Sequence, residues 1–150
     1  MSPGKHAAMG MTGGALIYVV SRNVALSVGF FVGSWIIDLD HVWEYWRMNH
    51  FKKPFAVKDF LKFNDALTEK FINGQPWLHV LFLHSIEFLL LILALGLYGV
   101  LSGMVIHLIL DDIFLYRYVK GNFLKRAHSI VEYYIRSRVF KEQKYEDIYS

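Results

Sequence analysis

The sequence has no cysteine, which excludes disulfides, thiolate metal ligands and a cysteine nucleophile together. Any metal must be held by imidazole nitrogen and carboxylate oxygen. Proline is also scarce, at three residues in 150, so little in the chain forbids long helices. Charge is thin as well: Asp, Glu, Lys and Arg make up 19% and apolar residues 55%, against about 25% and about 45–50% in ordinary soluble domains. No apolar run reaches the roughly 20 residues a helix needs to cross a bilayer.

A chain of this length fits a single domain, residues 1–150, around one hydrophobic core. The net charge of +3 and pI near 9.1 could suggest nucleic acid, but the Lys and Arg residues are spread over loops and a tail without an RNA-binding signature, so no nucleic-acid partner is expected. The N-terminus shows no small-residue cleavage site after its apolar run, and the mature chain is expected to begin near Met1.

Four apolar stretches, residues 7–20, 24–37, 85–100 and 101–110, read as helices paired into two hairpins. Ser21, Arg22 and Asn23 separate the first pair, and the small-residue region 96–102 separates the second. Between the hairpins, residues 42–78 form an insertion rich in aromatics and basic groups, with Phe60, Leu61, Phe63, Leu67 and Phe71 at helical spacing over 57–71. Residues 122–150 form a basic tail with an amphipathic helix expected over 122–145. The fold class is therefore all-α, a helical bundle of two apolar hairpins plus amphipathic helices.

The apolar stretches hold 10 to 16 residues each, so they span a membrane only if they extend into their polar flanks. In that arrangement 15 of the 16 Lys and Arg residues fall on one side, with Arg22 opposite. The positive-inside tendency then places both termini and the 42–78 loop in the cytoplasm of a cell-membrane protein in contact with lipids. The competing architecture is a soluble helical domain whose core helices are apolar throughout.

The same topology gathers the ionisable groups. His6 opens the first helix, Asp38, Asp40 and His41 close the second, His84 and Glu87 open the third, and His107 and Asp111 close the fourth. In an antiparallel bundle all these ends face one way. His84 and Glu87 are three residues apart and His107 and Asp111 four, so at 100° per residue each pair lies within about 60° on one helix face. Buried charges need partners, and a divalent metal, one or two ions of zinc, manganese or iron, would serve all of them. Singly, each residue is as well explained as a buried hydrogen-bonded group, and Asp38 or Asp111 as a helix cap or a partner of Arg117. Ser85 lacks the Gly-x-Ser-x-Gly elbow of a nucleophile. Trp43, Tyr45 and Trp46 read as an interfacial anchor at the helix end, or as the lining of a cleft.

Asp-Leu-Asp-His at 38–41, His-x4-His-Ser at 79–85 and Gly-x3-His-Leu-x2-Asp at 103–111, with His6 ahead of them, resemble the YdjM-like family of membrane-bound metal-dependent hydrolases. That family is distantly similar to the all-helical zinc-dependent phospholipases C. The sequence departs from its pattern where Val80-Leu81 replace an Arg-Gly and Ile37 replaces a Pro. The resemblance implies metal binding, with zinc foremost, by His6, Asp38, Asp40, His41, His84, His107 and Asp111, and hydrolysis of a phosphate-containing substrate, a lipid among the candidates. Glu87 joins the ligand set on its spacing. Asp40 or His79 would take the proton from the attacking water. The alternatives are a non-catalytic, metal-stabilised membrane protein and a soluble helical metal-binding protein.

Overall fold

The computed structural model describes residues 3–48, 55–72, 81–119 and 127–139. These are all-helical, with no strand among them: α1 (Pro3–Ser21), α2 (Val24–Ile36), α3 (Leu39–Met48), α4 (Val57–Ile72), a 3₁₀ turn (Phe82–His84), α5 (Ile86–Ala94), α6 (Tyr98–Val119) and α7 (Ile130–Val139).

The α1–α2 connection is as tight as its three polar residues imply. Arg22 takes a left-handed φ of 53° and its N–H returns to the Tyr18 carbonyl at 2.9 Å, closing α1. The Asn23 side chain then accepts the Leu26 N–H at 3.0 Å and opens α2. The second hairpin differs from the sequence expectation. The chain reverses within residues 95–97, where Gly96 has φ +69°, and α6 resumes at Tyr98. Gly99, Ser102 and Gly103 therefore lie inside a 22-residue helix and not in a turn.

Those small residues form the seam of the bundle. α2 packs principally against α6 and α1. At Gly33 an added Cβ would strike the Val100 carbonyl, and at Gly103 it would strike the Phe30 carbonyl. Backbone approach this close is the packing mode of helices that cannot rely on water to drive them together. Below the polar end of the seam, Ile37, Ile92 and Met104 form a buried cluster with Leu83, Val100, Leu101 and Leu108 packed on it.

A second cluster holds α3 to α4. Tyr45, Phe60 and Phe63 are buried together, with Val42 and Trp46 against them. Tyr45 therefore belongs to a core and is no interfacial anchor, whereas Trp43, on the other side of α3, is exposed. α4 buries Phe60 and Phe63, whereas Leu61, expected in the same apolar set, is exposed because it lies about 100° round the helix from Phe60.

Among the described residues, one helical stretch, Val24–Arg47, is long and apolar enough to cross a membrane. Those 24 residues include the break between α2 and α3 at residues 37–38. The outward faces of the neighbouring helices are apolar too: Leu16 and Val20 on α1, Val28 and Val32 on α2, Leu91 on α5 and Ile106 on α6 are all exposed.

Candidate metal centre

The centre lies at the polar end of the seam, and a helix break begins it. At the end of α2 the Asp38 N–H bonds to the Trp35 carbonyl at 3.1 Å, three residues back and not four. The Ser34 carbonyl, which a continuous helix would have bonded to that N–H, instead meets His107 Nδ1 at 2.8 Å. A carbonyl only accepts, so Nδ1 carries a proton and Nε2 points the other way. There it finds Asp38 Oδ1 and Asp111 Oδ2, each at 3.5 Å. Two carboxylates around one ring nitrogen call for positive charge among them, supplied by a proton on Nε2 or by a metal ion.

The residues of α1 and α6 complete this inner group. His6 Nε2 is 3.2 Å from Asp111 Oδ1, and the His6 and His107 rings stack with centroids 3.9 Å apart. His6, His107 and Asp111 are all buried, His107 to 1% exposure. The second, outer group is Asp38, His41 and His84, and in each group the ligand atoms lie within 4.8 Å of one another. Asp38 joins the two, since it belongs to the outer group and also faces His107.

The donor set fits a divalent ion. Two ligands at about 2.0–2.1 Å from a tetrahedral zinc stand roughly 3.3 Å apart. The 3.2 and 3.5 Å separations around Asp111 match that spacing, whereas a direct charge-assisted hydrogen bond closes to about 2.7–2.9 Å. Asp38 Oδ2 and His107 Nε2 are buried with no hydrogen-bond partner among the described residues, which is how ligand atoms look without their ion. Nitrogen and oxygen donors at these spacings can hold a metal, and nothing in the set selects its identity.

Asp40 stands behind His84. Its Oδ2 accepts the Leu83 N–H and lies 3.4 Å from His84 Nδ1. A carboxylate on Nδ1 directs the Nε2 lone pair of His84 away from Asp40, the arrangement that orients metal-binding imidazoles. Asp40 thus supports the outer group without belonging to either set of three.

Glu87 is not brought to the centre. Its carboxylate accepts the Ser129 hydroxyl at 2.5 Å and the Ile130 and Val131 N–H groups at 3.1 and 3.4 Å, so it caps α7. The expected i, i+3 pairing with His84 fails because Ser85 between them is extended, with φ −85° and ψ 151°, and the helix starts only at Ile86. Ser85 is occupied as the cap of α5, donating to the Phe82 carbonyl at 2.8 Å and accepting from Phe88 N–H. His79 lies outside the described residues.

Compared with known proteins, this chain matches no protein family, no curated protein and no solved structure. The site therefore rests on its own geometry.

Two contributors escaped the sequence reading. Glu44 is buried, with Oε2 3.9 Å from His41 Nδ1, and its spacing of three from His41 and four from Asp40 was the available signal. Ser34 acts through its carbonyl, and no side-chain pattern announces a backbone acceptor.

Proposed function

We propose that the chain is a membrane-associated metal-dependent hydrolase acting on a phosphate ester, with a phospholipid as the substrate class that its surroundings favour. The observation that carries the reading is the His107 imidazole, fixed by Ser34 so that its buried Nε2 faces two carboxylates, with the His6 imidazole stacked on its ring. The resemblance of the Asp38–His41, His79–Ser85 and Gly103–Asp111 motifs to membrane-bound metal-dependent hydrolases agrees with it.

In this reading His6, His107 and Asp111 hold one divalent ion, zinc foremost, and Asp38, His41 and His84 hold or share a second. A bound divalent ion there supplies Lewis acidity toward a phosphoryl oxygen and lowers the pKa of water at the site. The chain's own residues do the rest. Asp40 orients His84, Ser34 orients His107, and the buried cluster of Ile37, Ile92 and Met104 closes one side of the centre to water. His41 is the part-exposed ligand, its side chain 23% accessible, so substrate approaches on that side. Glu44, beside His41, is placed to accept a proton there.

The membrane setting is supported by Val24–Arg47 and by the exposed apolar faces of α1, α2, α5 and α6. Of the 16 Lys and Arg residues, 15 fall in the sequence segments that a four-span topology puts on one side, so the orientation is cytoplasmic for both termini and for residues 42–78 in a cell membrane.

A second reading has its own support: five of the six ligand candidates are buried, which suits a closed, structural ion in a non-catalytic membrane protein. Elemental analysis of the purified chain beside His84→Ala and Asp111→Ala, followed by a phosphoester screen, separates the readings. Metal in the parent chain, lost in both variants and accompanied by hydrolysis, supports the enzyme. Metal without hydrolysis of any phosphoester favours the structural ion, and a folded parent without metal overturns both.

A further inference from the structure

We propose that α7 is an interfacial helix that lies on an anionic lipid surface, pinned at the level of the metal centre by Glu87. The inference rests on the membrane setting proposed above and adds a second lipid contact to it, separate from the helices that cross.

α7 carries an exposed apolar face. Val131, Tyr134 and Ile135, at spacings of three and four, are 60%, 62% and 62% exposed and share one side of the helix. Arg138 stands seven residues after Val131 in the sequence. Between Arg117 and Lys144 the chain has eight Lys or Arg and two Glu, with no Asp. An apolar face within a basic segment matches the boundary of an anionic bilayer, where the side chains enter the acyl region and the cations meet phosphate. The same charge opposes a second copy of the chain, because two such faces would bring like charges together.

The start of α7 is anchored. Ser129 opens the helix, its hydroxyl accepting the Glu132 N–H at 3.2 Å, while the Glu132 carboxylate reaches back to the His128 N–H at 3.0 Å. Glu87 takes the Ser129 hydroxyl and the first two amides of the helix, and the Ile86 N–H bonds to the His128 carbonyl at 2.9 Å. Glu87 belongs to α5, three residues after the ligand candidate His84. A helix resting on the headgroups through Val131, Tyr134 and Ile135 therefore sets the depth of the His84 turn relative to lipid phosphate. A substrate ester in that headgroup layer would meet the centre from the same plane.

Because the chain has no cysteine, single cysteines can be labelled without background. The test places a fluorophore on Ile135→Cys or on Val28→Cys, the latter on the exposed face of α2. The full chain is reconstituted in vesicles of phosphatidylcholine with or without phosphatidylglycerol, each with nitroxide-labelled lipid as quencher. The expected result is strong quenching at Val28→Cys in both vesicles, and quenching at Ile135→Cys that depends on phosphatidylglycerol and is lost with Arg138→Glu. Quenching at Val28→Cys without any at Ile135→Cys overturns the α7 proposal and leaves the membrane setting standing. No quenching at either site overturns the membrane setting, and α7 with it. Equal quenching at Ile135→Cys in both lipids overturns the anionic preference, and an absence of quenching in the labelled chain together with disulfide-linked dimers of the unlabelled Ile135→Cys chain under a mild oxidant assigns the face to a second copy.

Discussion

The inner and outer ligand groups share Asp38 but are built by different means. His6, His107 and Asp111 sit within the regular helices α1 and α6, which both pack on α2, with Gly33 and Gly103 drawing α6 close to it, and all are buried. Asp38, His41 and His84 sit where helices fail, at the α2–α3 break and in the 3₁₀ turn before α5, and His41 is part-exposed. Regular packing thus supplies a rigid, dry half, and broken backbone supplies an open half where carbonyls and carboxylates can be re-aimed. A centre that binds an ion firmly yet admits a substrate needs both halves.

That contrast predicts a graded set of outcomes. His107→Ala removes the imidazole bonded to Ser34 and leaves Asp38 and Asp111 facing each other unrelieved. Loss of one partner from such a buried set costs about 3–5 kcal/mol. Thermal unfolding in detergent should show it, with metal lost from the inner group, and an unchanged midpoint with full metal content would refute the role given to this residue. Gly103→Leu acts only through the seam, forcing α6 off α2 at an expected cost of about 1–3 kcal/mol. It should halve the metal content by emptying the inner group while sparing the outer; equal loss from both would erase the distinction drawn here.

His41→Ala probes the open half. Its effect on stability should stay within about 0.5 kcal/mol, as for surface positions, while phosphoester hydrolysis falls at least about tenfold, as when a metal site loses a supporting group. Unchanged turnover would move the entrance elsewhere. Asp40→Asn should weaken metal binding by about 10–100-fold, with the mid-titration point as the readout and the final stoichiometry unchanged.

The smallest expected effect lies at the start of α7. Glu87→Gln removes the carboxylate that takes the Ser129 hydroxyl and the Ile130 and Val131 N–H groups. The amides of α7 should lose hydrogen-exchange protection at neutral pH while those of α6 keep theirs, and unchanged protection of α7 would refute the cap.

Spacing and topology made the centre largely legible. His107 and Asp111 meet because both lie in α6, where a separation of four means one face, and His6 and Asp38 arrive because antiparallel helices bring their ends to one level. Glu87 shows where that reasoning stops. The angle of 100° per residue applies only inside a helix, and the extended Ser85 cancels it between His84 and Glu87. The turn read over residues 96–102 went astray for a related reason. Glycine and serine mark chain reversals and close helix contacts alike, and only the partner helix α2 shows that Gly99 and Gly103 serve contact.

By itself, then, the sequence determined the all-helical class, the absence of sulfur ligands, the α1–α2 hairpin and the residues that gather at one end, since these follow from composition, periodicity and helix polarity. The tertiary structure alone decided that the Ser34 carbonyl orients His107, that Asp40 stands behind His84, that Glu87 serves α7, and that one ligand faces outward. Each of these depends on where a backbone breaks or which helix lies opposite, and such contacts between distant residues leave no periodic trace along a single chain.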